Sequence, residues 1–193
     1  MDKDRLAAFM DAVLAIIMTI LVLELPKPEE VTFAGIWALK DSYFCYALSF
    51  FWLGTMWIGI HNEWHYVRKI GKSAVWLGLI LLFTSSWIPY SISIVVLNPQ
   101  NVTAQVMYGV SVLLVTITYV FLSRSVTACQ GDECDINLSR IYAMMRMKMI
   151  PDIILKIIGL LLTIFVTPSA FSYAVLVCMV WIQLPYPQKT VIK

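Results

Sequence analysis

Residues 5–25 read RLAAFMDAVLAIIMTILVLEL, an almost wholly apolar run of about 20 residues. As a helix rising about 1.5 Å per residue, it is long enough to cross a hydrocarbon core of about 30 Å. Its few polar groups sit at set depths: Arg5 at the start, Asp11 about two turns in, Thr19 deep, and Glu24 at the far end. At about 100° per residue, Ile16, Thr19, Ile20 and Leu23 share one stripe, while Asp11 points roughly the other way, towards neighbouring helices. That stripe is able to line a path, although from spacing alone ordinary helix packing is the simpler account. A basic start before an apolar run also outlines a signal peptide. The Asp inside the run and the lack of a small-residue cleavage site before Pro26 predict that the segment is retained.

The remainder of the chain has the same character. With 60% apolar and only 13% charged residues, and a mean hydropathy of +0.80, the composition is that of a polytopic membrane protein. The 193 residues are expected to form a single all-α membrane domain over 1–193, without room among them for an appended soluble domain. Hydropathy and breakers predict six transmembrane helices at approximately 5–25, 43–61, 74–97, 102–122, 149–166 and 170–184. A short interfacial helix is expected over 31–39, Pro89 is expected to kink the third span, and Asn98-Pro99-Gln100-Asn101 reads as a tight turn. Pro185 and Pro187 stop the last helix.

Lys and Arg then set the orientation. With the N-terminus inside, the inner segments collect Lys3, Arg5, Arg68, Lys69, Lys72, Arg124, Arg140, Arg146, Lys148, Lys189 and Lys193, and the outer ones only Lys27 and Lys40. The expectation is a multi-pass protein of the cell membrane with both termini cytoplasmic. Lys156, about two turns from the inner end of the fifth span, is read as snorkelling to the interface. Basic residues spread along a rim, with a net charge of +2, carry no nucleic-acid signal.

Catalytic chemistry has little support. There is no P-loop, HExxH, GxSxG or TVGYG stretch, and neither His61 nor His65 stands at a recognisable spacing from a nucleophile. Cys45 and Cys178 lie in apolar spans, and Cys129 and Cys134 in a connector placed in the reducing cytosol, so no disulfide is expected. The stretch CQGDEC matches no zinc spacing, and no structural metal or cofactor is predicted. Asp11 does require a partner in a membrane, such as His61 or Arg5, and a link of that kind locks the first helix to the second more readily than it relays protons.

Arg5, Phe9 and Asp11, followed by Ala15-Ile16, Thr19 and Leu21-Val22-Leu23-Glu24-Leu25, resemble the RxxxFSD signature and first helix of the transmembrane protein 175 family of potassium channels, in its prokaryotic form. Trp57 and His61 are similar to the family's Trp and His on the second helix. Two positions depart from the pattern: Met10 stands where the signature has Ser, and Gly78, after Trp76, where it has Asn. The likeness is specific over residues 5–25, fair through Tyr90 and hydropathic beyond.

The resemblance implies a homotetramer in the bilayer whose four first helices surround an axis, with no re-entrant filter. Ile16, Ile20 and Leu23 then become apolar rings of a constriction, Thr19 a hydroxyl ring near which a permeant potassium ion passes, and Arg5, Phe9, Asp11, Trp57 and His61 the network supporting the pore helix. A narrow ring of Ile or Leu blocks water and ions by dewetting and passes them when wide. Glu24 at the outer mouth is placed to concentrate monovalent cations, with a merely solvated rim residue as the alternative. The expected activity is passive potassium conduction with modest selectivity over sodium. A secondary transporter, supported by Lys156, Asp152 and Pro89, and a non-conducting accessory membrane subunit are the rival classes.

Overall fold

The computed structural model describes residues 2–130 and 136–183, apart from the side chains at 137, 138, 140, 141 and 145. Among these are seven helices: α1 (Lys3–Leu23), α2 (Phe33–Ala38), α3 (Lys40–Trp64), α4 (Lys72–Leu97), α5 (Val102–Ala128), α6 (Ile136–Phe165) and α7 (Ala170–Gln183). The architecture is all-helical. Cys134, most of the CQGDEC stretch, Pro185, Pro187, Lys189 and Lys193 lie outside the described residues, as does the side chain of Arg140.

Side chains cap the starts of α1, α2 and α5. The Asp2 side chain caps α1 by accepting from the Asp4 N–H at 3.4 Å. Thr32 caps α2 through Gly35 N–H at 3.0 Å, and Asn101 caps α5 through Ala104 N–H at 3.1 Å, just after the Asn98–Asn101 turn. In α2, Phe33 and Trp37 project their rings outward at 95% and 71% exposure, as does Val31 just before it. That is the disposition of a segment lying in a membrane interface.

Among the described residues, α1, α3, α4 and α5 are long and apolar enough to cross a membrane, and α7 is a shorter apolar helix of 14 residues. The 30-residue α6 begins well before the 149–166 span expected from hydropathy and continues through Pro151. The charges of Arg146, Lys148 and Asp152 hide that continuity from a hydropathy reading. Within α4, Pro89 withholds the N–H that the Ser85 carbonyl would accept, and the Ser85 hydroxyl is itself buried without a partner among the described residues.

Successive long helices run antiparallel. The Ser42 hydroxyl near the start of α3 donates to the Val96 carbonyl near the end of α4 at 3.1 Å, and Ser91 of α4 meets Ser111 of α5 at 2.8 Å. At the α6–α7 hairpin the Phe171 N–H donates to Thr163 Oγ1 at 2.9 Å. Gly159 on α6 gives these two helices their close approach, because a Cβ there would collide with the Cβ of Ala174, which has no torsion by which to move away. The core runs along the inner faces of α1, α3, α4 and α5, with Leu6, Leu14, Leu53, Leu81, Ile88, Val112 and Val115 almost wholly buried. At one edge of this bundle, α1 packs on α4 and α3.

The candidate pore helix and its anchorage

Two faces of α1 have opposite fates. Leu6, Met10, Leu14, Ile17 and Leu21 recur every three or four residues and bury against the bundle. Ile16 (58% exposed), Ile20 (36%) and Leu23 (78%) stand clear of it, with Thr19 exposed among them. At about 100° per residue the two stripes lie roughly 130° apart. All four residues assigned to a constriction are thus together on a face that no other described part of the chain covers. The Thr19 hydroxyl donates to the Ile16 carbonyl at 2.8 Å, so the lone pairs of its oxygen are what it presents outward. Glu24 is the C-cap of α1, its backbone N–H donating to the Leu21 carbonyl at 3.3 Å while the Leu25 N–H donates to the Val22 carbonyl at 3.4 Å.

Asp11 is anchored from α3. The Trp57 indole Nε1–H donates to Asp11 Oδ1 at 2.8 Å, and the His61 ring lies against the Trp57 ring with centroids 5.6 Å apart. One turn of α3 therefore brings Trp57 to the carboxylate and His61 behind it. The expected partners of Asp11 were His61 or Arg5; the group that bonds it is Trp57, an uncharged donor that holds a carboxylate without adding a second charge to the bilayer. Arg5 and Phe9 are exposed at the start of α1, Phe9 at 46%.

The two departures from the family pattern meet in space. Met10 Sδ lies 3.2 Å from the point where a Cβ on Gly78 would sit, with Leu6 also close. A thioether fills the room that the absent side chain on α4 leaves, so two polar groups are replaced by one apolar contact between α1 and α4.

Sequence reasoning missed the buried polar centre of the other half. Lys156 does not snorkel: it is 1% exposed, and its Nζ donates to Asp152 Oδ2 at 2.7 Å and to Thr116 Oγ1 at 2.9 Å, and lies 5.3 Å from the Trp52 ring centroid. Asp152 Oδ1 is buried without a partner among the described residues. The pair links α6 to α5 and α3 and lines a cavity of about 550 Å³ together with Trp52, Met56, His61, Tyr119 and Met149. An Asp and a Lys four apart in an apolar run was the available signal. Near the ends of α3 and α5, Ser123 donates to the buried carboxylate of Glu63 at 2.6 Å. No cluster of three or more metal-ligating side chains occurs among the described residues.

Comparison with known proteins gives the family and the fold. The family described as endosomal/lysosomal potassium channel TMEM175 matches residues 5–89. A protein named as a potassium channel from Chryseobacterium sp. (strain P1-3) is 30% identical over 182 residues, which cover 94% of this chain and 93% of that one. The chain belongs to the TMEM175 family. A potassium channel from Streptomyces collinus is 31% identical over 93 residues, covering 46% of this TMEM175 chain and 45% of that relative. The crystal structure of a lysosomal potassium-selective channel TMEM175 homolog from Chamaesiphon minutus has the same fold, with a TM-score of 0.71 at 20% identity over 94% of this chain and 98% of that one. TMEM175 is a family of channels and not of enzymes.

Proposed function

We propose that this TMEM175 protein is a passive potassium channel of the cell membrane, working as a homotetramer in which four copies of α1 enclose the pore. The observation that carries the reading is the stripe of Ile16, Thr19, Ile20 and Leu23, left uncovered while the other side of α1 is packed into its own bundle. One helix encloses nothing, so a path along this stripe requires cyclic assembly. The relatives named as potassium channels favour the same activity.

In this reading Ile16, Ile20 and Leu23 supply hydrophobic rings that set the barrier by dewetting. Thr19, whose proton is spent on the Ile16 carbonyl, offers oxygen lone pairs to a permeant potassium ion in place of part of its hydration shell. Selectivity over sodium is modest because these are hydroxyls on side chains and not a closed cage of carbonyls. Glu24 at the outer mouth raises the local cation concentration. Asp11, Trp57 and His61 hold the pore helix at its angle to α3, and Arg5 and Phe9 extend this supporting group along the exposed start of α1. Six membrane crossings, with α2 on the outer surface and both termini cytoplasmic, follow from this placement and from the Lys and Arg bias.

Purified protein reconstituted in liposomes with a potassium gradient tests the proposal. Passive flux that does not saturate or require a co-ion, together with a tetramer by native mass in mild detergent, is the expected result. Saturating, coupled flux supports a transporter built around Lys156 and Asp152, and no flux supports an accessory subunit.

A further inference from the structure

A second cavity, of about 380 Å³, opens between α5 and α6 and is independent of the α1 stripe. Its polar lining is Arg124, Arg146, Tyr142 and Ser123. Arg124 lies one turn before the end of α5, and both arginines are exposed and in no ion pair among the described residues. Glu63, which takes the Ser123 hydroxyl, is buried on α3 and does not line the cavity. The pocket therefore holds a phenol and two guanidinium groups that no acid among the described residues pairs.

The register of the two helices adds a second observation. On α5, Arg124 stands on the same stripe as Phe121, Ile117 and Leu114, which are 52%, 38% and 49% exposed. On α6, Arg146 stands on the same stripe as Ile150 and Ile157, which are 56% and 45% exposed, and Ile153 between them lines the cavity. Each helix thus carries one arginine at the end of an apolar lane that leads away from the rim. A soluble anion has no use for such lanes. An amphiphile with an anionic head and a hydrocarbon tail matches both parts.

We infer that this cavity binds the phosphate of an anionic membrane phospholipid, with an acyl chain running along the α5–α6 lanes. Guanidinium forks bond phosphate oxygens in pairs, the Tyr142 hydroxyl is a further donor, and Val120, Ile150 and Ile153 take the start of the chain. The lipid closes the gap between α5 and α6 at the rim.

Native mass spectrometry of the purified protein, equilibrated with phosphatidylglycerol or with phosphatidylcholine, reads this directly. The wild type is expected to retain phosphatidylglycerol at least tenfold more than phosphatidylcholine, R124Q/R146Q to lose that preference, and K72Q, at an exposed lysine on the same rim, to keep it. If the double variant does not fold, R146Q alone is expected to cut the preference several-fold. Equal retention of the two lipids by the wild type overturns the inference, as does an arginine variant that retains phosphatidylglycerol like the wild type, or a K72Q variant that loses it equally. Displacement of the lipid by glycerol phosphate at matching concentration overturns the acyl-chain part.

Discussion

Trp57 restrains α1 through one N–H, and the consequence is measurable. Trp57→Phe keeps a ring against His61 and removes the donor to Asp11. A hydrogen bond to a charged group at a half-buried site is worth about 1.5 kcal/mol, so the melting temperature of the purified protein should fall, whereas Trp57→Phe melting like the wild type would mean that the bond contributes nothing. Met10 and Gly78 supply a second test. Gly78→Asn places side-chain atoms on the Met10 sulfur and should cost about 1–3 kcal/mol by overpacking. Adding Met10→Ser should restore much of it, since the space and a hydroxyl return together, and a double variant as unstable as the sum of the singles would show the two sites to be uncoupled. At this scale the sequence announces that Asp11 needs a partner, because a lone carboxylate in a bilayer is too costly. It does not announce which one. Arg5, Trp57 and His61 are all within helical reach, and the choice is made by how α1 crosses α3.

At the scale of the element, α6 is where the sequence is least legible. Hydropathy begins the fifth span near residue 149, because Arg146 and Lys148 look like the end of a loop and Pro151 like a break. The helix nevertheless starts at Ile136: a proline removes one backbone bond, and the charges at Asp152 and Lys156 are buried against each other and so do not seek the interface. By contrast α1, α3, α4 and α5 are readable, since each is a long apolar run, with Asp2 and Asn101 as capping residues at the starts of α1 and α5. The buried pair predicts an asymmetry. Lys156→Met takes from the buried Asp152 its charged partner and should destabilise by about 3–5 kcal/mol, whereas Lys156→Met with Asp152→Leu removes both charges and should be markedly less harmful. Thermal unfolding of the two variants checks this, and a double variant no better than the single would show that the pair is not the source of the cost.

For the whole molecule, the uncovered face of α1 is the feature that one chain does not explain. Leu23 at 78% and Ile16 at 58% exposure lie on a helix whose other face is fully committed to α3 and α4. Lipid covers such residues in a monomer; a central axis covers them in a tetramer, and only the second gives Thr19 a part. Sequence spacing finds the stripe but does not choose between these, because periodicity records that a face is apolar and not what it meets. Potassium flux through liposomes, compared between Leu23→Ser and Met18→Ser, decides it most directly. Met18 lies on another side of the same helix, against Gly54 of α3. The pore reading predicts that Leu23→Ser eases wetting and raises flux several-fold, while Met18→Ser leaves flux per folded protein near the wild-type value. Equal effects at both positions, or no effect at either, would contradict it and leave α1 a packing helix.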